Sequence, residues 1–154
     1  MITAGTTISL PDESDTREFA GRIAAILQPG DTLLLEGDIG SGKTAFSRAV
    51  IRARLGQQED VPSPTFTLVQ TYHAPDGDIW HCDLYRLTAP DEVLELGLDE
   101  AFETSICLIE WPDRLGDDIP DNALRLGFTA DNNTHSVTLH MTNRWADRLH
   151  NVAF

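Results

Sequence analysis

Residues 33–46 read LLLEGDIGSGKTAF, an apolar run that breaks into a glycine-rich turn and then resumes with a lysine. The stretch from Asp31 to Glu36, bounded by Gly30 and Gly37, is too brief for a helix and predicts a buried strand. A helix is expected from about Lys43 to Leu55, ended by Gly56. Between them, Gly37-Asp38-Ile39-Gly40-Ser41-Gly42-Lys43-Thr44 fits G-x-x-x-x-G-K-[ST], with the strand before and the helix after that the motif requires. Glycines let successive backbone amides turn inward around phosphate oxygens, and the helix N-terminus adds its positive end. Asp38, Ile39, Gly40, Ser41, Gly42, Lys43 and Thr44 are therefore expected to hold a nucleotide, with Lys43 on the outer phosphates and the Thr44 hydroxyl on magnesium.

Lys43 is the only lysine in the 154-residue chain, whose other cations are arginines. A compact ammonium on a flexible stem suits a place where a guanidinium fork does not fit. The same count excludes the N-K-x-D element by which P-loop proteins read guanine, so ATP is expected rather than GTP. Hydrolysis further needs an acid near magnesium and a group that positions water. Two apolar strand-like runs end in acids, IWHCD at Asp83 and ICLIE at Glu110, and either can serve. SPTFTLV, with Ser63, Thr65 and Thr67, follows the P-loop helix where a switch segment approaches the outer phosphate. His73 and His81 have no metal-ligand spacing and are read as structural or surface residues.

Outward from this centre, DESDTRE offers N-cap side chains, with Asp15 and Glu18 at capping-box spacing, ahead of the apolar face Phe19, Ile23, Ile26 and Leu27. TFTLVQTY and IWHCDLY, joined by APDGD, predict a hairpin, as do ALRLGFTA and THSVTLHM across DNN. PDEVLELG and LDEAF read as short helices, and ICLIE as a buried strand. The expected fold is α/β: a single P-loop NTPase-like domain over residues 1–154, with a mixed, partly antiparallel sheet flanked by helices.

Eleven basic against twenty-five acidic residues give a formal charge of -14, which repels nucleic-acid backbones and argues against direct DNA or RNA binding. Cys82 and Cys107 sit in apolar runs and read as buried, reduced thiols. No positive leader or membrane-length apolar segment is visible, which points to the cytoplasm and no membrane.

GDIGSGKT, SPTFTLV, DLYRL and ICLIEWP, in this order and spacing, closely resemble the bacterial TsaE family, the P-loop ATPases of tRNA threonylcarbamoyladenosine biosynthesis, from about residue 12 to residue 112. The resemblance implies ATP hydrolysis with magnesium (Mg2+) beside two partners, TsaB and TsaD, with tRNA reached only through them. It carries Lys43 and Thr44 to phosphate and magnesium positions, Glu110 to the magnesium-side acid, and Asp83 to an acid implicated in activity. It carries Thr65 to a switch-like threonine, Trp111 to the aromatic after the glutamate, and Thr16 to the approach to adenine. The tail beyond EWPDRLGDDIP matches no block of the family. A small-molecule kinase is the alternative, weakened by the lack of an arginine-rich lid, and a nucleotide-gated binding module is a third reading.

Overall fold

The computed structural model describes residues 5–38, 40–56, 61, 68–87, 92–131, 134–140, 142–150 and 152. One seven-stranded sheet runs through them in the order β1-β7-β6-β2-β5-β4-β3, with β1 Thr7–Leu10, β2 Thr32–Glu36, β3 Val69–Ala74, β4 Gly77–Asp83, β5 Ile106–Glu110, β6 Leu124–Asp131 and β7 Thr134–His140. β2 lies parallel to both β5 and β6, and β4 lies parallel to β5. β3 with β4, β6 with β7 and β1 with β7 are antiparallel. The expected mixed sheet and both hairpins are thus present; β1, which closes one edge, has no counterpart among the sequence expectations.

The centre is parallel because its strands are apolar on both faces. Leu33, Leu34, Leu35, Ile106, Cys107, Leu108 and Ile109 are all buried, as strands covered on two sides must be. One face packs against helices α1 (Glu13–Ile26) and α2 (Lys43–Leu55) through Phe19, Ile23, Phe46, Val50 and Ile51. The rings of Phe46 and Phe19 lie 5.5 Å apart, and those of Phe46 and Phe128 5.3 Å, tilted as aromatic quadrupoles favour. The other face, with Leu34, Cys82, Cys107 and Ile109, is covered by Leu98 and Ala101 of α4 (Leu98–Thr104), which follows α3 (Glu92–Leu96), and by Leu115 of the 3₁₀ segment Pro112–Asp118.

One local expectation is corrected, and one element was not anticipated. The α1 capping box is formed by Asp12 and Asp15, not Asp15 and Glu18: Asp12 Oδ1 accepts from the Asp15 N–H at 3.1 Å, and Asp15 Oδ2 accepts from the Asp12 N–H at 3.3 Å. Several acids compete for the N-cap in DESD, and the one with extended backbone takes it. The tail also forms a helix, α5 (Asn143–Leu149), which periodicity over so short a stretch does not signal. Arg148 on it donates to both Asp31 oxygens at 2.8 and 2.7 Å and to the Ile26 carbonyl at 2.6 Å, tying the tail to the start of β2.

Candidate functional site

The phosphate loop leaves β2 at Gly37 and enters α2 at Gly42. Gly37 has φ +139°, and a Cβ there would fall 2.5 Å from the Phe128 carbonyl oxygen and 2.6 Å from Ser41 Oγ. Only glycine fits. Gly42, at φ +111°, is the N-cap of α2 and brings no side-chain cap, which leaves the first-turn N–H groups of α2 available to an anion. The Ser41 N–H donates to the Asp38 carbonyl at 3.0 Å and closes the turn.

Lys43 folds back over this loop. Its Nζ donates to the Gly37 carbonyl at 2.6 Å and stands 3.7 Å from the centroid of the Trp111 ring, a cation-π approach. Burial lowers the pKa of this ammonium, while the carboxylates of Glu110, Asp83, Asp38 and Asp113 act in the opposite direction. Trp111 holds its position with φ +60°, unusual outside glycine. Its ring packs on Tyr85, with centroids 4.9 Å apart.

The two strand-end acids meet because β4 and β5 are parallel neighbours in a register that pairs Asp83 with Glu110. Both are buried. Thr44 Oγ1 donates to Glu110 Oε1 at 2.9 Å, so the phosphate-loop hydroxyl and the β5 acid form one oxygen pair. Glu110 Oε2 accepts from His81 Nε2 at 2.7 Å. Asp83 Oδ1 accepts from the Tyr85 N–H at 3.1 Å, which turns the chain at the end of β4.

Lys43, Thr44, Asp83, Tyr85, Glu110 and Trp111 line a cavity of about 530 Å³ together with Gly40, Gly42, Arg86 and His135, at the carboxyl ends of parallel strands where α/β sheets bind ligands. A second cleft, of about 560 Å³, lies between α1 and α2 and includes Thr16, Arg48 and Arg52. Ala45 lines both.

Of the residues singled out from sequence, Gly40, Gly42, Lys43, Thr44, Asp83, Glu110 and Trp111 converge on the first cavity. Asp38 and Ser41 shape the loop beside it. Thr16 lies in the neighbouring cleft. Ile39 and Thr65, with Ser63 and Thr67, fall outside the described residues. His73 is exposed and meets Asp78 at 2.7 Å, as a surface histidine does.

Two residues at the site were not anticipated. His81, expected to be structural or at the surface, is fully buried and meets Glu110; the period of two in His81-Cys82-Asp83 was the available signal, since it places His81 on the same face as Asp83. His135, on β7 beyond the blocks quoted from sequence but within the family match reported below, has Nε2 3.3 Å from the Gly40 carbonyl. No spacing motif links β7 to a loop so distant in the chain.

A family model described as threonylcarbamoyl adenosine biosynthesis protein TsaE matches residues 10–138. A Rickettsia bellii protein named tRNA threonylcarbamoyladenosine biosynthesis protein TsaE is 49% identical over 102 residues, covering 66% of this chain and 71% of that one. Proteins of the same name from Rickettsia prowazekii and Bacillus subtilis are 36% identical over 136 residues (88% of this chain, 94% of that one) and 39% identical over 113 residues (73% and 70%). The crystal structure of Bacillus subtilis YdiB superposes with a TM-score of 0.79 at 27% identity, over 97% of this chain and 95% of that one. With a nucleotide-binding P-loop at the centre of its sheet and a family match from the end of β1 into β7, the chain belongs to the TsaE family.

Proposed function

We propose that this chain is the ATPase subunit of a cytoplasmic complex that makes threonylcarbamoyladenosine at adenosine 37 of tRNA, working beside TsaB and TsaD. Family membership favours this reading over a small-molecule kinase. The observation that carries the ATPase part is the pairing of Thr44 Oγ1 with Glu110 Oε1 at 2.9 Å, beside the N-terminal end of the phosphate-loop helix.

The donor set fits magnesium. Thr44 and Glu110 offer hard oxygens, and among the described residues no cluster of three His, Cys, Asp or Glu forms a self-sufficient metal site. A cation there would draw its remaining ligands from phosphate and water, the usual mode for Mg2+. Bound, it would neutralise charge on the outer phosphates.

The chain's own groups supply the rest. The first-turn amides of α2, with Lys43, bind the phosphates. Asp83, on the cavity wall beside Glu110, would orient the attacking water in this reading. The base extends past Ala45 toward Thr16 in the α1–α2 cleft. Ile39 and Thr65 take the roles that the loop motif and the family resemblance give them. Among the described residues no helix is long and apolar enough to cross a membrane, and an acidic subunit leaves tRNA to its partners.

The test is reconstitution. Added to purified TsaB, TsaD, tRNA and ATP with magnesium, the chain is expected to join the complex, release phosphate and raise repeated rounds of tRNA modification. Failure to join or to raise turnover rejects the reading.

A further inference from the structure

Among the described residues, His81 makes one side-chain hydrogen bond, to Glu110. It lies in β4 on the face that packs against α1 and α2, between Ile79 and Asp83 and level with Leu108 of β5. The residue is fully buried, and its other ring nitrogen, Nδ1, has no hydrogen-bond partner among the described residues. A histidine kept only to satisfy the core would have both nitrogens paired, because an unpaired buried polar atom costs about 1–3 kcal/mol. Among the described residues, its pairing goes to the acid of the site alone.

That contact has a direction. An ionised carboxylate only accepts, so Nε2 carries the hydrogen and donates to Oε2. Oε2 is thereby engaged at 2.7 Å, and Oε1 is turned to the Thr44 hydroxyl at 2.9 Å. A carboxylate pinned at both oxygens cannot rotate about its terminal bond, a torsion that is otherwise broad.

We propose that His81 is the positioning residue for Glu110, holding Oε2 from below so that Oε1 faces the phosphate loop and the cation there. Residues that hydrogen-bond a ligating carboxylate from behind commonly change metal affinity or activity by about 10–100-fold when removed. The proposal rests on the reading of Glu110 as the magnesium-side acid.

The experiment measures ADP affinity by titration calorimetry with and without magnesium; the ratio of the two is the readout, and melting temperature is followed in parallel. His81→Leu fills the space without a donor and is expected to reduce the magnesium enhancement about 10–100-fold, with magnesium-free affinity unchanged. His81→Gln, which can place an N–H near the Nε2 position, is expected to restore most of it. In a Glu110→Gln background, His81→Leu is expected to add nothing.

If Glu110→Gln removes the magnesium enhancement and His81→Leu leaves it intact, the proposal fails while the reading of Glu110 stands. If Glu110→Gln leaves the enhancement intact, both fail. Equal losses in His81→Gln and His81→Leu, or a further loss in the Glu110→Gln background, also overturn the proposal. Should His81→Leu not fold, His81→Asn, whose amide falls short of the Nε2 position, is expected to show the same loss of magnesium enhancement, and an intact enhancement in it overturns the proposal.

Discussion

Strands β4 and β5 carry two different faces on one stretch of backbone. Toward α1 and α2 they present His81, Asp83, Leu108 and Glu110; toward α4 they present Cys82, Cys107 and Ile109. Both rows are buried. On the second face, burial raises both thiols, Cys82 well above the usual cysteine value and Cys107 to about 12, so they behave as small apolar fillers.

On the first face the acid is paired at both oxygens. His81, Glu110 and Thr44 form a continuous chain of hydrogen bonds that ends at the phosphate loop. Equal depth thus gives opposite chemistry, decided by whether a side chain carries strong polar groups that must be paired.

The comparison breaks most visibly at Glu110. Glu110→Ala in the reconstituted complex is expected to lower ATP turnover by about 10²-fold or more, within the range for loss of a positioned catalytic group, with partial retention of nucleotide binding. It also strips His81 of its bond to the acid, so a fall in stability of about 1–3 kcal/mol is expected. Phosphate-release assays and denaturant melts check the two effects separately. Unchanged turnover would place Glu110 with the inert face.

Lys43→Ala comes next, with nucleotide binding weakened about 10–100-fold, the loss of a charge-assisted bond of about 1.5–3 kcal/mol. Calorimetry reads this, and a large drop in melting temperature without ligand would contradict it. The lysine also has a pH signature. Because burial lowers its pKa below 10.5, the unfolded chain holds this proton more tightly, and stability rises with pH between the folded and unfolded values. The stability of the native chain relative to Lys43→Met is therefore expected to increase as pH climbs toward 10.5 and to level off above it, as measured by denaturant titration at stepped pH.

The smallest effect belongs to the opposite face. Native protein at neutral pH is expected to react with a thiol reagent far more slowly than denatured protein, and Cys107→Ala to leave nucleotide affinity unchanged. Its stability cost should stay near ~1 kcal/mol, typical of a small core deletion. Rapid labelling of the native chain, or altered ADP binding, would show that the two faces are coupled.

The asymmetry between the faces was partly legible in the chain. Lys43 and Thr44 follow from a local pattern in which each residue has a fixed place around a phosphate, and a strand-end acid at Glu110 or Asp83 follows from an apolar run that stops. For His81 only the face it shares with Asp83 was legible. A histidine inside IWHCD reads the same whether its imidazole meets solvent, a core or an acid on the next strand, and that choice depends on the register of β4 against β5. His135 was hidden for the same reason, lying 95 residues from the carbonyl it approaches.

The sequence alone determined the P-loop, its strand and helix, the exclusion of a lysine-based guanine reader and the family resemblance, because these rest on residues close together or on ordered blocks. Only the tertiary structure decided which acid meets Thr44, that Trp111 stacks over Lys43, that Arg148 anchors the tail to Asp31, and that His81 supports Glu110. Each of these is a contact between strands or helices, and its existence depends on sheet order and register, quantities that are set by the packing of the whole chain rather than by any one segment of it.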